Sequence, residues 1–182
     1  MLENSHCVTS LDNLNNYYDI SLKRDWLIPL GCKPGFSFQK LDLANYQAIA
    51  QLFEDEKFNV IVKLVAQTSV SSSMQNFHSY IDSNLVGFVN ILEGCRDSQV
   101  KHLVFISSSW GYGDNTKIIL SIGDNVDYPI SLYADSKKSN ELMAHTYKYL
   151  YRLPTNELRL FTVYGIFQVH PGNFGRQSYR CI

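Results

Sequence analysis

The stretch "FNVIVKLVA" at residues 58–66 constrains the fold more than any other. Its only polar members are Asn59 and Lys63, and a strand with no polar face has to be covered on both faces. Strands of that kind belong to parallel sheets flanked by helices. The neighbouring segments agree. "CVTSL" (7–11, ending on Asp12), "FSFQKL" (36–41, ending on Asp42), "HLVFIS" (102–107) and "ELRLFTV" (157–163) read as further strands. Helical segments fall between them, near 19–28, at 45–56, at 81–97 and at 134–152. Ile49, Leu52 and Phe53 share one face of the second, and Ile81, Leu85, Phe88, Leu92 and Cys95 step along the third. In the last, Leu142, Met143, Thr146, Leu150 and Tyr151 recur at helical spacing, with Asp135 and Ser136 available to its first turn. Alternating strands and helices with buried strands predict an α/β fold built on a doubly wound parallel sheet.

At 182 residues the chain is one domain or a piece of a larger one. It is 45% hydrophobic and 18% charged with a formal net charge of −1, which gives no support for a nucleic-acid partner or an anionic membrane. No run is long enough to span a bilayer, and the amino terminus lacks the regions of a signal peptide, so a cytoplasmic location is expected. Cys7, Cys32, Cys95 and Cys181 are scattered, as reduced thiols are, and the five histidines have no metal-ligand spacing. No metal site is expected.

Ligands of doubly wound sheets sit beyond the carboxyl ends of the strands. Those ends carry Asp12, Asp42, Ala66, the serines 107–109 and Phe161–Thr162. Tyr133 and Lys137 add an i, i+4 pair where the last helix begins, so phenol and ammonium share a face. An ammonium beside a phenol favours phenolate and makes a usable base near neutrality. Each feature also has a plain structural reading. A strand-end Asp is commonly a cap, and with 12 tyrosines one Tyr-x-x-x-Lys carries little weight.

Taken together, "LDNLNNYYDISLK", "KLDLANYQAIAQLFE", "YIDSNLVGFVNILEGCR", "VKHLVFISSSWGYG", "DNVDYPISLYADSKKSNELMAHTY" and "LRLFTVYG" resemble the extended short-chain dehydrogenase/reductases. Within these they resemble the NAD-dependent nucleotide-sugar epimerase/dehydratase family, most closely its UDP-glucuronate 4-epimerase group. The resemblance spans about residues 6 to 165. It implies a Rossmann-like NAD-binding domain over 1–165 and a divergent tail over 166–182. It implies Tyr133 as catalytic base, Lys137 on the nicotinamide ribose, and Ser108, four residues before Tyr112-Gly113, as the catalytic serine. Hydride would leave sugar C4 for NAD and return to the other face. Asp12 and Asn13 would hold the adenine ribose, Asp42 and Leu43 the adenine. Leu64, Val65, Ala66, Asn84 and Phe161 would complete the cofactor shell, with Thr162 joining Ser108 and Tyr133 on the UDP-sugar. An acidic Asp12 favours NAD over NADP. A homodimer through helices 81–97 and 134–152 is implied as well.

The departures define the alternative. The family's first strand–glycine-rich turn–helix, which approaches the pyrophosphate, has no counterpart, since the first glycine is Gly31. The carboxyl-terminal substrate domain has none either. Lys63, Val65, Thr68, Ser69 and Ser71 replace usual core residues, and Trp110 with Gly111 stands next to the serine run. These changes suit a non-catalytic remnant or interaction fragment of such an epimerase. A sugar 4,6-dehydratase fits less well, because "SSSWGYG" holds no carboxylate.

Overall fold

The computed structural model describes residues 1–16, 19–66, 76–109, 129 and 131–160. Strand β1 (Val8–Asp12) leads through α1 (Ile20–Gly31) to β2 (Phe36–Lys40). Helix α2 (Tyr46–Asp55) follows, then β3 (Val60–Lys63). A helical passage runs from α3 (Phe77–Tyr80) through a π-helical stretch (Ile81–Val86) into α4 (Gly87–Asp97). Strand β4 (His102–Ser108), helix α5 (Leu132–Tyr151) and strand β5 (Thr155–Leu160) complete the order. Every pairing is parallel, with Val8 opposite Phe36, Val60 opposite His102 and Leu103 opposite Thr155. The described strands form two sheets, β1–β2 and β3–β4–β5. Each of β1 and β3 therefore has one described neighbour.

Side-chain caps start the helices where the polar residues of the sequence allow. Asp19 accepts from the Ser21 amide, Asn45 from Ala48, Asn76 from Ser79 and Ser131 from Ala134. The core joins Ile49 and Phe53 of α2 to Phe88, Ile91, Leu92 and Cys95 of α4 and to Leu103 and Phe105 of β4. The Phe88 and Phe105 rings meet at 5.1 Å. Burying each such ring contributes about 1.5–3 kcal/mol. Helices α2 and α4 close tightly because Gly94 has no Cβ; one there would lie 2.6 Å from the Phe53 ring.

Three expectations change. Strand β3 is shorter than 58–66 and is not covered on both faces: Val60 and Val62 are 50% and 38% exposed. Among the described residues no helix covers the sheet face on which they lie. Helix α5 begins at Leu132 under a Ser131 cap, so Ser136 is not a first-turn cap but a buried residue. Most of the residues that recur at helical spacing along α5 face out. Leu142, Leu150 and Tyr151 are exposed, while Tyr133, Ala134, Ser136, Lys137, Asn140, Glu141 and Ala144 are buried. Of the recurring residues, Met143 alone packs on the core. Strand β4 takes in Ser107 and Ser108, and residues 161–163 of the last expected strand lie outside the described residues.

Candidate active site

Strand β4 ends on Ser107 and Ser108, each only 2% exposed. Helix α5 lays its first turns against that end. Lys137 Nζ donates to the Ile106 carbonyl at 2.8 Å, two residues before Ser108, and stands 5.8 Å from the Tyr133 ring centroid. Tyr133 and Lys137 are 3% and 2% exposed. The structure thus places the Tyr133 ring beside the Lys137 ammonium, and that ammonium on the strand that ends in Ser108. A buried lysine on a backbone carbonyl is anchored, so its charge is fixed relative to the phenol.

The same helix face is tied down further along. Glu141 Oε1 accepts from Ser107 Oγ at 2.5 Å, and Arg159 of β5 reaches both carboxylate oxygens, at 3.0 and 2.8 Å. Burial pushes the Glu141 carboxyl up, but hydrogen bonds from Arg159 and Ser107 and the charges of Arg159 and Lys138 outweigh it. The carboxyl is held below the usual carboxylate range. Asn84, fully buried in the π-helical stretch, donates to Ser136 Oγ at 3.0 Å, and Ser136 donates to the Tyr133 carbonyl at 2.8 Å. Stretches of this kind often mark functional positions. Sequence reasoning named Asn84, gave Ser136 only to the first turn of its helix, and missed Glu141 and Arg159. The spacing held one signal, since Glu141 lies four residues beyond Lys137 on one helical face.

A second group lies at the carboxyl ends of β1 and β2. Asp12 Oδ1 accepts from the Leu14 amide at 2.6 Å and from Lys23 Nζ at 3.0 Å. Asn13 Nδ2 donates to Asp42 Oδ2 at 2.9 Å, and the other Asp42 oxygen accepts the Ala44 amide at 2.9 Å. Leu43 turns into the core, and its carbonyl takes a hydrogen bond from Asn90. Leu64, Val65 and Ala66 follow β3 and are half-buried. Lys63, one of the unusual replacements, is buried, donates to the Val65 carbonyl at 3.0 Å and lies 5.1 Å from the Phe88 ring centroid. Phe161, Thr162 and Trp110 lie outside the described residues.

The Asp12 carboxylate at the end of β1 suits a ribose hydroxyl of an adenosine, and a fixed Tyr–Lys pair suits the ribose and carbonyl chemistry of a nicotinamide end. The donor set therefore fits a dinucleotide at its two ends. Between them, no glycine of the described residues stands at a strand's carboxyl end to cradle a pyrophosphate. Among the described residues no group of His, Cys, Asp and Glu could hold a metal ion, and no helix is long and apolar enough to cross a membrane.

The family described as "NAD dependent epimerase/dehydratase family" matches residues 1–179. Protein CapI of Staphylococcus aureus is 50% identical over 165 residues, which are 91% of this chain and 49% of that protein. UDP-glucuronate 4-epimerase 2 of Arabidopsis thaliana is 43% identical over 159 residues, covering 87% of this chain and 36% of the relative. A crystal structure of UDP-glucuronic acid 4-epimerase from Bacillus cereus, in complex with UDP-glucuronic acid and NAD, superposes with a TM-score of 0.79 at 27% identity. That match covers 89% of this chain and 50% of the other. The chain thus spans about half the length, or less, of the curated relatives it matches.

Proposed function

The chain belongs to the NAD dependent epimerase/dehydratase family, and from that membership we propose that it carries the cofactor- and proton-handling part of a nucleotide-sugar 4-epimerase whose substrate is UDP-glucuronate. The supporting observation is the buried Tyr133–Lys137 pair anchored at the end of β4, within two residues of Ser108. In this reading Tyr133, as phenolate, takes the proton of the sugar 4-hydroxyl, and Ser108 hydrogen-bonds the same oxygen and keeps it in line. The Lys137 ammonium stabilises the phenolate by charge and reaches the nicotinamide ribose. NAD, when bound, supplies the acceptance and return of hydride at C4. Asp12, Asn13, Asp42, Leu43, Leu64, Val65, Ala66, Asn84 and Phe161 would hold it, and Thr162 would touch the substrate. Tyr133 then returns the proton to the oxygen after the keto sugar has turned. Because the proton acceptor and the hydrogen-bond donor are held before substrate arrives, little reorganisation remains for the reacting step.

The test is chromatographic. UDP-galacturonate formed from UDP-glucuronate with added NAD, above a Tyr133→Phe control, supports this reading. A second reading, a non-catalytic fragment of such an epimerase, draws on the single described neighbours of β1 and β3. No product above the control supports that one. We also propose a homodimer across the helices at 81–97 and 134–152. Leu142, Tyr149 and Leu150 of α5 are 58%, 71% and 58% exposed, and such apolar exposure on one helix suits a partner. Analytical ultracentrifugation decides it.

A further inference from the structure

We propose that Ser136 is a positioning residue whose hydroxyl pins the helix turn carrying Tyr133, and so fixes the phenol relative to the Lys137 ammonium; this rests on the Tyr–Lys reading above. The two members of the pair are held by different elements. Lys137 Nζ is tied to the sheet, through the Ile106 carbonyl of β4 at 2.8 Å. Tyr133 is the second residue of α5, in a first turn whose amides have no helical partner of their own. The Ser131 hydroxyl caps that turn at the Ala134 amide, at 3.2 Å. Ser136 holds it to a neighbouring element. Its Oγ donates to the Tyr133 carbonyl at 2.8 Å and accepts from Asn84 Nδ2, in the π-helical stretch, at 3.0 Å. The ammonium is thus referred to β4, and the turn that carries the phenol to the π-helical stretch.

The residue type matters here. Alanine is the better helix former at an interior position, and a serine that bonds back to a preceding carbonyl slightly destabilises a helix. Ser136 is 1% exposed, so bulk water does not compete for its hydroxyl. The single proton is committed to Tyr133 and a lone pair to Asn84, which leaves the hydroxyl one orientation. The Tyr133 carbonyl also stands in the helical acceptor position for the Lys137 amide. One oxygen therefore joins the backbone of both members of the pair to Ser136. Fraying of the turn would carry the phenol away from the ammonium, 5.8 Å from the ring centroid, and their attraction falls with distance.

The experiment follows the Tyr133 phenol itself, by NMR titration of the 182-residue chain isotope-labelled at tyrosine Cζ. The Tyr133 signal is the one lost in Tyr133→Phe. In the wild type it is expected to titrate at lower pH than in Lys137→Met, and the difference measures what the ammonium contributes. Ser136→Ala should raise the midpoint by about half a pH unit, roughly threefold less phenolate at neutral pH. Ser136→Cys keeps the volume and offers only a weak donor, so its midpoint should fall between. Ser98→Ala is the control. It removes a similar bond, from Ser98 Oγ to the Phe53 carbonyl at 3.2 Å, at the carboxyl end of α4, and should lower thermal stability without moving the Tyr133 signal. A Tyr133 midpoint unchanged in both Ser136 variants overturns the positioning role, whatever stability they lose. A shift that Ser98→Ala reproduces is general loosening and overturns it equally. Identical Tyr133 titrations in wild type and Lys137→Met overturn the Tyr–Lys reading itself, and the role of Ser136 with it.

Discussion

Strands β1 and β4 are both parallel strands ending on polar residues, yet the structure treats them differently. No described residue before Leu43 is fully buried; β1, α1 and β2 are half-buried or exposed throughout. Strand β4 buries Leu103, Phe105, Ser107 and Ser108, with β3 and β5 on its two edges and α5 against it. Each strand's burial follows its neighbours. A parallel strand gains stability from partners on both edges, and β4 has β3 and β5 there, where β1 has one described strand beside it. The two halves of the candidate site inherit this contrast. Tyr133, Lys137 and Ser108 sit in packed surroundings. Asp12, Asn13 and Asp42 are held by hydrogen bonds at the surface.

The largest test of the contrast is a pair of truncations. Phe105→Ala should cost about 3–5 kcal/mol, a large share of a margin of about 5–15 kcal/mol. Leu11→Ala in β1 should cost less, about 1 kcal/mol, because Leu11 is only partly buried where it packs against the core. Equal losses in denaturant unfolding would break the comparison.

Next comes the buried ionic knot. Glu141→Gln removes the charge while keeping the shape, leaving Arg159 with the more exposed Glu157 carboxylate, 3.2 Å away. Removing one partner of a buried pair costs about 3–5 kcal/mol, and the partial exposure of Arg159 should bring this to about 2–3. The pH dependence has a definite sign. A carboxyl held below its ordinary value stabilises the fold above that ordinary value, and the contribution is lost as pH falls through its folded value. The wild type should therefore lose more stability than Glu141→Gln between about pH 5 and the acid limit. By contrast Asp12→Asn at the half-exposed Lys23 pair should cost about 0.2–1 kcal/mol. Parallel stability–pH curves for wild type and Glu141→Gln would show that Glu141 is not held as described.

A smaller effect reads the same contrast through thiols. Cys7 and Cys32 are exposed in the open region, while Cys95 is buried in the core and pushed up to about 12 by burial. A thiol reagent should modify Cys7 and Cys32 at once and reach Cys95 only on unfolding. Rapid modification of Cys95 in native buffer would mean the core is open.

The succession of strands along the chain and the strand-end residues were legible because apolar runs and their polar stops are local signals. The inward face of α5 was not. Its apolar periodicity, at Leu142 and Leu150, belongs to the side without a described partner, whereas Lys137 and Glu141 turn inward because Ile106, Ser107 and Arg159 satisfy them. Those partners lie on other strands, and no window along the helix contains them. Val60 and Val62 misled for a related reason, since an apolar run states what a strand needs and not whether a neighbour is there. Lys23 depended on the path of the loop after Asp12, which propensity does not fix. The Tyr133–Lys137 pair was legible from spacing, and its burial was not.

Native-state hydrogen exchange on the 182-residue chain tests the central claim most directly. Tyr133, Lys137 and Ser108 are held in a preformed, packed unit, and the β1–β2 side is held more weakly. Amides of β4 and of the buried half of α5 should exchange only through global opening. Those of β1, α1 and β2 should exchange about 10²–10³ times faster through local opening. Equal protection in both regions, or rapid exchange along β4 and α5, would contradict it.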